Sequence, residues 1–221
     1  DLRAEADQLI SAGSADLARA SLAELWRKEA GAVIAPFLVS RFEQLRGKLP
    51  MVSLRTSFLR SFTVEPGIPL LRAEAFVRGI DLTTKVGDFN AFAQEILDSR
   101  STLYSFDPEV VILAVRTPDV APDLWTQYTD LPPDVIASIV QRVGDSFAQW
   151  IRAFRERSSA ALIVHSLEAL ARPSAGVLDA QEPTGQSGAI HKINLQLRQI
   201  AGEHRNVYIL DYDGLMARHG R

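Results

Sequence analysis

At 221 residues, with 47% hydrophobic residues and a formal net charge of −3, the chain is long enough for one large α/β domain with a helical preface. It offers no electrostatic case for nucleic acid. It holds no cysteine, which excludes disulfides, thiolate nucleophiles and cysteine-based zinc sites. No apolar run reaches bilayer length and no secretory signal pattern opens the sequence, so a cytoplasmic location without membrane contact is expected; the first residue, Asp1, is read as marking a piece of a longer protein.

Residues 1–50 contain no strand pattern, and 1–48 are read as a helical extension. Leu2, Ala6, Leu9 and Ile10, then Leu17, Leu22, Leu25 and Trp26, then Val33, Ile34, Phe37, Leu38, Phe42 and Leu45 recur at helical spacing. Two or three amphipathic helices are expected, with breaks near Gly13 and between Gly31 and Pro36. They are read as a helical extension packed on the main domain, with a partner-binding arm as the alternative.

From residue 49 to 221 strands and helices alternate. Strands are expected at Ser53–Leu59, Ile80–Val86, Val110–Val115, Ala160–Val164 and Val207–Leu210. The aliphatic third segment reads as a strand buried on both faces. Helices are expected at Ile68–Arg78, Asn90–Leu97, Asp134–Arg157 and Ala189–His204, the last capped by Ser187. The alternation implies a three-layer α/β/α fold with a five-stranded parallel sheet of flavodoxin-like order 2-1-3-4-5.

In such a sheet ligands bind outside the carboxyl ends of the strands. The residues leaving those ends are Ser61 and Thr63; Gly87, Asp88 and Asn90; Arg116 and Asp119; His165 and Ser166; and Asp211 and Asp213. Thr63 or Ser61 is a candidate nucleophile, His165 a candidate base, and Gly87 and Asn90 candidates for an oxyanion pocket. The plainer reading is that the hydroxyls cap the next helix and His165 only ends a strand. Thr184 to Gly188 precedes a helix and could seat an anion, but it lacks the Gly-Lys-Ser/Thr of a phosphate loop, and a flexible loop with a cap is the better reading. The histidines show no ligand spacing, so no metal site is expected.

Asp211-Tyr212-Asp213-Gly214 resembles the first motif of haloacid-dehalogenase (HAD) phosphatases. Leu215 stands where that motif has threonine and only six residues follow, so the segment is read as a turn. A broader resemblance runs from about Leu45 to Gly220. Ser61-Phe62-Thr63-Val64-Glu65-Pro66, Phe89-Asn90, Gln94 to Asp98, Leu103-Tyr104, Phe106-Asp107-Pro108 and Val110–Leu113 resemble the N-terminal domain of FkbH-like proteins, of HAD subfamily IIIC. Leu178-Asp179-Ala180, Gln186, Asn194 and Val207 to Asp213 continue the likeness.

That resemblance implies an SGNH-hydrolase-like, flavodoxin-like domain followed, in the family, by a phosphatase-like domain that would hold Mg. It implies no cofactor in this domain itself. It further implies a part in forming glyceryl-acyl carrier protein for polyketide extender units. Laid on the residues, it puts Thr63 at the nucleophile serine, Gly87 at the oxyanion glycine and Arg116 where an asparagine would stand. The Asp-x-x-His block would fall at or beyond Arg221. The expectation is therefore a degenerate hydrolase site, with Gly87, Asp88, Asn90, Arg116, Asp211 and Asp213 as binding residues. Its partners would be an acyl carrier protein, a C-terminal HAD-like domain or a small acyl or glyceryl ligand. The alternative is an active SGNH-type esterase or acyltransferase using Thr63 or Ser61.

Overall fold

The computed structural model describes residues 1–182 and 184–219. Five strands form one parallel sheet in the order β2-β1-β3-β4-β5, as the alternation predicts. The strands are β1 (Val52–Arg60), β2 (Ile80–Val86), β3 (Val110–Ala114), β4 (Ala161–His165) and β5 (Val207–Leu210). Val110 pairs with Ala161 and Leu162 with Val207. β4 runs one residue further than expected, so His165 lies within the strand, opposite Leu210.

The chain divides into two compact units: Asp1–Thr56 with Thr63–Val86, and Ser57–Phe62 with Gly87–Arg221. The first holds helices α1 (Leu2–Ser11), α2 (Ala15–Glu29) and α3 (Ala35–Leu45), together with α4 (Ile68–Val77). The expected breaks are real. Gly13 takes φ +75°, a left-handed turn that glycine adopts without strain, and Pro36 sits in the first turn of α3, where its missing N–H costs nothing. Leu22, Leu38, Leu45, Phe42 and Phe76 form a dry core, with the rings of Phe42 and Phe76 at 4.9 Å. Trp26 Nε1 donates to Glu74 at 2.6 Å and Arg41 clamps Asp7 at 2.9 Å. Those bonds hold both carboxyls below the ordinary carboxylate range.

The second unit holds α5 (Phe92–Leu97), α6 (Thr102–Phe106), α7 (Thr117–Val120), α8 (Pro122–Thr126), α9 (Pro133–Arg155), α10 (Gln186–Gly202) and α11 (Tyr212–His219). Along α9, Ile136, Ile139, Val143, Phe147, Ile151 and Phe154 are buried, so the stripe at steps of three and four faces the core. Its aromatic rings interlock: Trp150 meets Phe147 at 4.9 Å and Phe92 at 5.2 Å, both edge-on. Gly144 gives Gln196 of α10 room, since a Cβ there would strike the amide. Among the described residues no helix is long and apolar enough to cross a membrane.

α10 starts earlier than expected. Gly185 precedes its first residue, Gln186, and Ser187 lies inside the first turn rather than capping it. The cap comes from Asp179, whose carboxylate accepts the N–H groups of Gln186 at 2.6 Å and Ser187 at 3.2 Å. The chain's own carboxylate thus occupies N–H groups that could otherwise have seated an anion. Gln186 is fully buried and joins the same loop, accepting from Ser174 N–H at 2.8 Å and donating to the Leu124 carbonyl at 2.6 Å. A Cβ at Gly185 would strike the Asp179 carbonyl oxygen, which is backbone and cannot swing aside. Gly185→Ala is expected to cost about 1–3 kcal/mol, read as a lower urea midpoint at unchanged slope.

Candidate functional site

Within the second unit, polar groups gather where β1, β3 and β4 end. Ser61 follows β1, is 3% exposed, and its backbone N–H bonds to Ala114 O at 3.0 Å. Its hydroxyl donates to Asp119 Oδ2 at 2.6 Å and accepts the Arg116 N–H at 2.9 Å. That hydroxyl ties the end of β1 to the turn after β3, and its proton is held by a carboxylate rather than an imidazole.

Glu168, in the run following β4, is 7% exposed. One carboxylate oxygen accepts Arg116 Nε at 3.0 Å. The other accepts the Thr117 N–H at 3.1 Å, while the Thr117 hydroxyl, also 3.1 Å from that oxygen, donates at 2.7 Å to the Glu168 backbone carbonyl. Burial of this carboxylate is tolerated because each oxygen has a donor. Arg116 is thereby fixed through Nε, and its two terminal nitrogens make no hydrogen bond with any described residue.

His165 is buried in a different environment. Its ring stacks on Tyr212 at 4.4 Å with 14° between planes, and Phe62 lies at 5.9 Å. Nδ1 has no hydrogen-bond partner among the described residues. Burial without a compensating charge pushes the imidazole down to about 4, so it is neutral at physiological pH.

The remaining expected site residues hold the scaffold. Gly87 N–H bonds to Phe58 O at 2.8 Å, and the absent side chain leaves room for the Glu95 carboxylate, which accepts the Asp88 N–H at 3.1 Å. Asn90 takes φ +59°, and its N–H bonds to Arg60 O at 3.0 Å. Asp88 and Asn90 are exposed. Asp211 caps α11 through Gly214 N–H at 3.2 Å, as the turn reading expects. Asp213 accepts the Ala169 N–H at 2.8 Å and donates its own N–H to Ser166 Oγ at 3.1 Å. Thr63 is exposed and belongs to the first unit, whereas Ser61 and His165 belong to the second. The Asp-x-x-His position lies outside the described residues.

A cavity of about 310 Å³ opens beside Arg116. Phe62, Trp125, Tyr212 and Met216 form its apolar wall, Arg116 and Glu168 its polar side, and Ala169 and Ala171 complete it. Of the site residues expected from the sequence, Arg116 alone lines it, with Phe62 and Tyr212 entering only as neighbours within quoted motifs. Glu168 and Trp125 were missed, and Tyr212 was not expected to face a cavity. The one available signal was an acidic residue inside the apolar run Leu167 to Leu170. A larger, shallow cavity of about 520 Å³ lies among the loops that precede β4 and β5, far from these groups in the topology. Among the described residues no three His, Asp or Glu side chains gather as a metal site.

The sequence matches the family described as "FkbH, N-terminal domain" over residues 69–221. The chain belongs to that family. This FkbH N-terminal domain is also similar in structure to the N-terminal part of protein BF1531 from Bacteroides fragilis, described as containing a phosphatase domain complexed with Mg. The TM-score is 0.62 at 16% identity, over 77% of this chain and 43% of that one. At that identity the likeness is one of fold, and the domain spans less than half of the related chain. An acetyl xylan esterase, AlAXEase, aligns at TM-score 0.49 and 14% identity over 75% of this chain and 80% of its own. No curated protein matches the sequence.

Proposed function

We propose that this FkbH N-terminal domain is a noncatalytic binding and docking domain built on a degenerate SGNH-hydrolase-like site. Its setting would be a protein of HAD subfamily IIIC that forms glyceryl-acyl carrier protein for polyketide extender units in the cytoplasm. Its partners would be the carrier protein or a C-terminal phosphatase-like domain, with Mg confined to that second domain. The observation that carries the reading is the state of Ser61. Its hydroxyl is buried, donates to Asp119 and accepts from Arg116, so the serine at the strand end is used as a tie. A nucleophile needs a base within hydrogen-bond reach, and His165 stands instead against Tyr212 with Nδ1 unpartnered. Gly87, Asp88, Asn90, Asp211 and Asp213 shape the rim as backbone ties, and Arg116 is the binding group.

The exposed hydroxyl of Thr63 supports a second reading, an SGNH-type esterase or acyltransferase. One assay separates them. The 221-residue chain is expected to release 4-nitrophenol from 4-nitrophenyl acetate no faster than buffer. Thr63→Ala and Ser61→Ala are expected to leave that background unchanged. Turnover abolished by either substitution would establish the esterase. Calorimetric titration with acyl carrier protein then tests the docking role directly.

A further inference from the structure

We infer that the cavity beside Arg116 binds an uncharged acyl group, an ester, thioester or amide with an apolar body, and discriminates against anions and hydroxyl-rich groups. The inference deepens the binding-domain reading above by naming the chemistry of the occupant. Arg116 presents two unused terminal nitrogens on a side chain that is 43% exposed, while its Nε is fixed to Glu168 at 3.0 Å. A guanidinium held in this way offers a rigid planar set of N–H donors to one acceptor. Its charge is already offset by the Glu168 carboxylate, which is buried and held by Thr117 as well.

A bound carboxylate would therefore add a second negative charge beside Glu168, with Arg116 the one cation among the described residues that line the cavity. A carbonyl oxygen accepts the same N–H groups without that penalty. The opposite wall is made of Phe62, Trp125, Tyr212 and Met216, with the rings of Phe62 and Tyr212 stacked at 6.3 Å. Those side chains reward apolar area and offer few partners to the hydroxyls of a glyceryl unit. The volume of about 310 Å³ lies at the small end of the range for ligand sites, roughly 300–1,000 Å³, so a short acyl chain fits and a long one would protrude.

The test titrates the full chain with the hexanoyl thioester of N-acetylcysteamine, followed by calorimetry and by tryptophan emission, with free thiol measured in the same samples. Saturable binding is expected. Hexanoate and glycerate are expected to bind at least tenfold more weakly. Arg116→Lys keeps a cation for Glu168 but removes the planar fork, and Met216→Glu charges the apolar wall; each is expected to weaken the thioester at least tenfold. Circular dichroism checks that both variants are folded. Absence of binding, hexanoate binding as tightly as the thioester, or unchanged affinity in both variants would overturn the inference. Release of thiol above the buffer rate would instead overturn the noncatalytic reading and leave the pocket's preference standing.

Discussion

Between pH 6.5 and pH 4 the protein is expected to lose about 3 kcal/mol of stability that a His165→Phe variant does not lose. The imidazole sits at about 4 in the folded chain because burial removes it from water, and near 6.5 once unfolding exposes it. Below pH 6.5 the unfolded chain takes up a proton that the folded chain refuses, so stability falls as acid is added. The fall ends near pH 4, where the folded state protonates too. At about 1.4 kcal/mol per pKa unit the interval amounts to about 3 kcal/mol. Phenylalanine keeps an aromatic ring against Tyr212 and removes the titration. Urea midpoints of both proteins across this range give the difference directly. Parallel curves would show that His165 reaches water in the folded state. The low-lying carboxyls of Asp7 and Glu74 act at more acid pH. Each is ionised and paired in the fold, and its contribution disappears as pH drops through its depressed folded value.

Glu168→Ala is expected to cost about 2–4 kcal/mol. Loss of one member of a buried ion pair costs about 3–5 kcal/mol, and the half-exposed Arg116 recovers part of that through water. The buried Thr117 recovers less, since its N–H loses its acceptor, while its hydroxyl keeps the backbone carbonyl of residue 168. Glu168→Gln separates charge from space. Its amide oxygen can still accept from Thr117, but its NH₂ would face Arg116 Nε donor to donor, so a smaller loss is expected. Chemical denaturation of the two variants checks the order. Equal losses would mean that the charge facing Arg116 carries the whole effect, and an unchanged Glu168→Gln would mean that the side chain merely fills volume.

The sheet was legible because its strands carry their own signal. Val110–Ala114 and Ala161–His165 are short aliphatic runs between turn residues, and parallel connection rules leave few orders for five such strands. The breaks at Gly13 and Pro36 were legible for a similar reason, since a left-handed turn and a missing N–H are local demands. The start of α10 was not. Its cap is Asp179, several residues upstream across a folded loop, where no rule about adjacent residues can find it. The site was legible only as a set of strand ends. That Ser61 would spend its hydroxyl on Asp119, or that Glu168 would hold Arg116 and Thr117 from the far side of α9, depends on pairs more than fifty residues apart. A half-buried Trp125 and Met216 look like ordinary helix residues until the fold places them on one wall.

β1 gives its first half to one compact unit and its second half to the other, and the first unit resumes after it. No single break in the polypeptide separates the two bodies: a nick at any point leaves one of them missing a stretch of chain. The span shared with the family begins at residue 69, beyond this strand. A gene fragment trimmed to that span would therefore encode a sheet without the strand that lies between β2 and β3. The start of the family span and the boundaries of the compact units do not coincide, and the helices that lead into β1 lie outside that span.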